Sequence, residues 1–484
     1  MRRALAVLSV VSVALVVGML PAGAQSRSGA KPDAEQRSFA DFADFNGDSF
    51  TDLAVGAPGE NVGSTVDAGA VNVFYGTASG LSSTSQVLLQ GNPEAGDHFG
   101  TAITVGFFNG DSFADLAVGA PDENVGAIVD AGAASVFLGS AGGLSATSQT
   151  LVQDNPEAGD RFGAALAAET VSADAFTELA VGAPGENVGS TVDAGAVNVF
   201  YDTTGVLPAS GSQVLLQDNP EAGDQLGAAV LANFVNPGGF ADLVVGAPGE
   251  NVGATVDAGA ANLFASTTPV LPTRSTQTLL QDNVEAGDRF GAALTMGPFG
   301  NFFDDLVVGA PGENVGGIVD AGAANFFPNP AGTLPSTSTQ TFLQDNPETG
   351  DQFGAALVAG QFTSDFAELV GGAPGENVGA TVDAGAANLF ANPAGTLPST
   401  STQTLLQDNP EPGDHFGAAL TGVFFFPFLD LVVGAPGENV GSTVDAGTAN
   451  VFNHSTRPLP GTSNQTLLQA GVEPGDHFGA ALDV

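Results

Sequence analysis

The chain has 484 residues, with 53 acidic side chains against 9 basic ones, a formal charge of −44 and no cysteine. A field of that sign repels phosphate backbones and anionic lipid, which excludes nucleic-acid binding and argues against a membrane-surface role. The missing cysteines exclude disulfides, thiol nucleophiles and Cys-ligated zinc. Charged residues are 13% of the chain and Phe contributes 34, so this is no disordered acidic tail.

In chain order, the first predicted element is a targeting segment. Arg2 and Arg3 precede an uncharged apolar run from Ala4 to Leu20, Pro21 breaks it, and Ala22, Gly23 and Ala24 give a signal-peptidase pattern. The apolar run is short for a spanning helix. Residues 1–24 are therefore expected to be a cleaved signal peptide, and loss of Arg2 and Arg3 takes the charge to about −46. Residues 25–37 lack a hydrophobic pattern and read as a flexible leader; residues 38–484 are the expected folded domain. The sequence predicts a secreted, extracellular or cell-surface monomer without membrane insertion.

From there the chain repeats itself. Gly-Ala-Pro begins at Gly56, Gly119, Gly182, Gly246, Gly309, Gly372 and Gly434. A Phe-Gly pair begins at Phe99, Phe162, Phe290, Phe353, Phe416 and Phe478, with Leu226 as the one variant. In the unit from Phe162, a small-residue strand is followed by an apolar run from Leu179 to Ala183 that Pro184 ends. An alternating strand follows from Ala196 to Tyr201, then a short run from Gln213 to Gln217. Four short strands per unit, seven times over, predict an all-β fold: a seven-bladed β-propeller of four-stranded antiparallel blades. The first Gly-Ala-Pro lacks a preceding Phe-Gly and the last Phe-Gly lacks a following Gly-Ala-Pro. Sharing one blade between the termini would close the ring and remove exposed sheet edges. Residues 39–43 also align with that strand, so both termini are candidates for the slot.

The Phe-Gly pair, the Asx-rich loop and Gly-Ala-Pro together resemble the FG-GAP repeat of integrin α-subunit heads and of exported bacterial proteins, over residues 39–484. The resemblance implies a seven-bladed propeller, calcium in some loops between first and second strands, and a binding rather than catalytic role.

Matched to that pattern, Asp44, Asn46, Asp48 and Asp52 would give side-chain oxygens to Ca²⁺, and Phe50 its carbonyl. Ser49 stands where the pattern has glycine. In the second loop Asn109, Asp111 and Asp115 remain, but Phe107 replaces the first ligand. The other five loops keep little beyond the last acid: Glu178 with Asp174, Asp242 with Asn236, Asp305 with Asn301, Glu368 with Ser364, and Asp430. Its persistence predicts a structural task such as accepting backbone N–H groups.

Each unit carries two acids after Gly-Ala-Pro and two more before Phe-Gly. These are Glu60, Asp67, Glu94, Asp97, Glu123, Asp130, Glu186, Asp193 and their equivalents. A four-stranded meander brings both loops to one face. Solvated turn acids and a ligand-binding face for an extracellular protein or glycan are both consistent with this pattern. No catalytic set breaks the repeat: His98, His415 and His477 share a slot that elsewhere holds Arg161, Gln225, Arg289 and Gln352, and His454 lies near Arg457. The sequence favours a binding or adhesion module that is not an enzyme. A hydrolase or lyase using the acidic face, or a purely structural surface protein, are the alternatives.

Overall fold

The computed structural model describes residues 43–172, 176–202, 205–301, 303–364, 366–425, 428–453 and 459–484. The expected signal peptide and leader, Asp174, His454 and Arg457 lie outside these residues. Seven four-stranded antiparallel sheets follow one another, their strands in meander order. The second blade is representative, with strands Ala102–Gly106, Asp115–Ala120, Ala133–Phe137 and Gln149–Leu151. A small extra hairpin, Gly76–Thr77 with Gly80–Leu81, follows the third strand of the first blade.

The C-terminal strand fills the open slot. Ala481–Asp483 pairs antiparallel with Leu53–Ala57, setting Ala54 opposite Asp483 and Gly56 opposite Ala481. First strands of all seven blades line a central cavity of about 280 Å³, with small residues such as Ala102, Ala229 and Ala356 where the strands converge. Second strands such as Asp115–Ala120 and Asp242–Ala247 are buried along their whole length. They read as continuous apolar runs because both of their faces pack on neighbouring sheets.

The core is a series of blade-to-blade layers. Phe162 packs with Leu179 and Val181 of its own blade and with Ala134 and Leu151 of the blade before. The closing layer joins Val55 and Phe74 to Val432, Val451 and Phe478. Fully burying one such Phe contributes on the order of 2–3 kcal/mol.

The two halves of the repeat signature meet across each layer. A Cβ on Gly182 would lie 2.0 Å from the carbonyl oxygen of Gly227 in the next blade, so only glycine fits. The N–H of Gly227 meanwhile donates to the Gly246 carbonyl within its own blade at 3.0 Å.

Candidate functional site: two faces of loops

Loops between first and second strands lie at one end of each blade, beside the loop after the third strand. In the first of them, Gly47 has φ +74° and Ser49 φ +71°, so Ser49 takes the left-handed turn that glycine usually supplies. Asp44 Oδ1 accepts the N–H of Gly47 at 2.7 Å, and its Oδ2 that of Ser49 at 2.8 Å. Asn46 Oδ1 accepts the Asp48 N–H at 2.9 Å and Asp48 Oδ1 that of Phe50 at 3.0 Å. The turn therefore gathers Asp44, Asn46 and Asp48 at an exposed rim, where carboxylate lone pairs remain for a cation.

Asp52 is placed otherwise. It is fully buried, and its oxygens accept the N–H groups of Phe45 at 2.9 Å and Gly76 at 2.8 Å. Burial pushes its carboxyl up to about 7, against the lowering effect of those two N–H groups. Asp115 repeats this with Phe108 and Gly139, at 2.7 and 2.8 Å, and burial raises it to about 6. Asp242 accepts from Val235, Asn236 and Ser266, Glu178 from Val171 and Ser172, and Asp305 from Asn329. Asp52, Asp115, Asp242 and Asp305 are thus staples between the loops after the first and third strands. Among the described residues, no three His, Asp or Glu side chains converge as a metal cluster. In the second loop only Asn109 and Asp111 stand at the rim, linked at 2.8 Å, with Asp115 withdrawn into the blade.

The acids of the opposite face are brought together as the meander predicts, but they are not an open carboxylate surface. Asp97 and its six equivalents are fully buried. Gln90 Nε2 lies against Asp97 Oδ2 and, at 3.1 Å, Glu123 Oε2. Burial, then the charge of Asp97, pushes Glu123 up to about 8; the same causes take Glu186 to about 7 beside Asp160. Glu94 accepts the Asn124 amide at 3.2 Å. Asp67, Asp130 and Asp193 sit at φ between 51° and 53°, with their N–H groups held by Asn61, Asn124 and Asn187. Their carbonyls accept the N–H of the residue before each Phe-Gly pair: His98 at 3.2 Å, Arg161 at 3.1 Å and Gln225 at 3.1 Å. The ends of the chain form the same junction: Gln469 Nε2 reaches Glu60 Oε2 at 2.7 Å and also Asp476. What this face does expose is one valine per blade, Val66 and its equivalents, at 53–58%.

One feature of this face escaped the reading of the repeat. Asp122 stands where the other blades have glycine after proline, and it accepts from His98 Nδ1 at 2.7 Å and Arg161 Nε at 3.2 Å. Burial alone would push Asp122 up, but the His98 hydrogen bond and the Arg161 charge hold it below the ordinary range; the same bond raises His98. The signal was present as a single Gly-to-Asp departure, hidden by an acid-rich background.

The FG-GAP repeat model matches residues 38–74 and 99–137. Phosphatidylinositol-glycan-specific phospholipase D of Bos taurus is 32% identical over 166 residues, 33% of this chain and 20% of that protein. Integrin alpha-PS5 of Drosophila melanogaster is 36% identical over 32% of this chain and 15% of its own length. Integrin alpha-3 of Cricetulus griseus is 30% identical over 38% and 17%. The chain thus spans a fifth or less of the length of these relatives. Among solved structures, the Dos1 propeller aligns over 88% of this chain and 84% of its own, with 12% identity and TM-score 0.46. The periplasmic gluconolactonase of Pseudomonas aeruginosa aligns over 87% and 97%, with 12% identity and TM-score 0.48. The chain carries FG-GAP repeats, with integrin α-subunits among its homologues.

Proposed function

We propose that this chain is an extracellular binding module: an integrin-like propeller that meets a protein or glycan partner with the face formed by the loops after its second and fourth strands. The observation that carries the reading is the repetition of one rigid, backbone-latched loop pair in every blade, each with an exposed valine beside acidic turns. Such an array suits a repetitive partner, since no single loop dominates it. Ca²⁺ would be held on the opposite face by Asp44, Asn46, Asp48 and the Phe50 carbonyl, with Asp52 securing the loop beneath them. Asn109 and Asp111 would form a weaker second site. When bound, the ion supplies charge neutralisation and rigidity to an exposed turn.

A second reading, a hydrolase or lyase, draws on the His98–Asp122 pair and on the phospholipase D relatives. That similarity spans a fifth of those enzymes. The geometry offers an imidazole oriented by Asp122, and among the described residues no hydroxyl is hydrogen-bonded to that ring. Screening the protein against glycan and cell-surface protein arrays, with parallel turnover assays on esters, glycosides and phosphodiesters, separates the two. Array binding without turnover is expected. Turnover that His98→Ala abolishes would replace this reading with the enzymatic one.

A further inference from the structure

Each blade junction holds buried oxygens that its hydrogen bonds leave short of donors. At the junction into the third blade, Gln153 Nε2 faces three acceptors: Asp160 Oδ2, Glu186 Oε2 at 3.2 Å and the Asn155 carbonyl at 3.3 Å. A primary amide carries two N–H groups, so it cannot serve all three. Asp160 Oδ1 and Gln153 Oε1 are also buried and without a hydrogen-bond partner, in side chains 0% and 4% exposed. The arrangement recurs at Gln217, where Glu250 lies at 2.9 Å and the Asn219 carbonyl at 3.2 Å, again with the amide oxygen unpartnered. It recurs at Gln281 and Gln407. The free Asp oxygen is present at all seven junctions, from Asp97 to Asp476. Among the described residues no Lys, Arg or His pairs with these acids; the ion pairs go to Asp122 instead. A buried Asp carboxyl and a half-buried Glu carboxyl without a counter-charge, beside orphaned oxygens, form an environment that lacks a cation.

We propose that the blade junctions at Gln153, Gln217, Gln281 and Gln407 are calcium sites, in which the Gln amide turns its oxygen toward the Asp and Glu carboxylates and the main-chain carbonyl to share one ion. A half-turn of the Gln153 amide exchanges Oε1 for Nε2 with no other movement. It replaces an overcommitted donor by a fourth oxygen. Every ligand is then a hard oxygen, with no nitrogen or sulfur, and two carboxylates balance a divalent charge. The set mixes side-chain and main-chain oxygens in an irregular shell, which Ca²⁺ tolerates and Mg²⁺ does not. Each ion would tie the last strand of one blade to the loops of the next. These sites are separate from the turn at Asp44 and lie on the other face.

Equilibrium dialysis with radioactive calcium tests this on the full chain carrying Asp48→Ala and Asp111→Ala, which removes one rim carboxylate from each of the two candidate loops of the opposite face. The expected result is about four ions per chain, one for each of these junctions, and about one fewer when Gln153→Leu is added. A rim-deficient chain that binds no calcium overturns the proposal, as does a count that Gln153→Leu leaves unchanged. Should a variant fail to fold, the unmodified chain decides: a total of two ions or fewer overturns it, and a larger total exceeds what the rim loops can hold.

Discussion

The two faces of this propeller have the same number of loops and opposite histories within one chain. Loops after the first strand have diverged: Asp44, Asn46 and Asp48 gather at one rim, Phe107 has replaced the leading ligand at the next, and later copies keep only the last acid. Loops after the second and fourth strands are nearly identical in every blade. The difference follows from where the hydrogen bonds go. A rim carboxylate such as Asp48 caps its own exposed turn, so its loss disturbs only that turn. Asp52 and Asp242 serve buried N–H groups from two loops at once. Asp97, Glu123 and Gln90 tie one blade to the next. Residues that satisfy buried backbone or a blade junction persist, and those that serve only an exposed turn do not.

Four tests can break or sharpen that contrast. The largest effect is expected at the layer between blades. Gly182→Ala drives a methyl into the Gly227 carbonyl and should cost about 4 kcal/mol or prevent folding. Gly189→Ala, facing open space at φ +69°, should cost only about 1 kcal/mol. Denaturant unfolding of both variants checks the ratio, and equal losses would remove the steric account of the repeat signature.

Next comes the staple. Asp242→Ala strands the N–H groups of Val235, Asn236 and Ser266 and should cost about 2–4 kcal/mol. Asp48→Ala measured in EDTA should change stability by less than about 0.5 kcal/mol. If the two matched, rim and staple acids would not be distinct classes.

A graded effect of pH follows from the buried acids outside the candidate metal sets. Burial raises Asp242 from 3.8 to about 6, and Asp483 in the closing strand likewise to about 6. The folded chain therefore holds protons that the unfolded chain has released between those values. Their stabilising contribution is full below about pH 4 and is lost as pH rises through about 6. Melting in EDTA should thus occur at higher temperature at pH 5 than at pH 7, unlike proteins whose acids are ion-paired. A melting temperature that falls over that acidification would contradict the assignment.

The smallest change is expected from Asn187→Ala, which removes the cap on the Asp193 N–H and one bond to Glu157. A loss of about 1 kcal/mol is expected by thermal melting, with the fold intact. A collapse of the ring would mean that this loop carries more of the junction than its hydrogen bonds account for.

Much of the architecture was legible because the repeat signature is itself a contact. Gly182 and Gly227 recur at fixed spacing since they touch in every layer, and four turn-divided strands per copy leave few alternatives to a propeller. The structural task of the last acid was also readable, because it outlived its neighbours in the later loops. Three things were not. Competition between residues 39–43 and 481–483 for one strand depends on pairing that self-similarity cannot rank. Asp97 is buried against Gln90, whose other partner, Glu123, belongs to the next blade, a contact that the spacing within one repeat does not signal. The ion pairs at Asp122 join three residues from separate turns, and only the change from glycine marked them.

Hydrogen exchange followed by mass spectrometry, in EDTA, tests the contrast between the faces most directly. The N–H groups of Gly69, Gly132, Gly195, Gly259, Gly322, Gly385 and Gly447 each donate to the glutamate carbonyl of their own loop at 2.9–3.0 Å. The account predicts equal protection for all seven, including Gly69 beside the closing strand, while rim amides from Gly47 to Phe50 exchange fast. Uneven protection among the seven glycines, or rim amides as slow as they are, would contradict it.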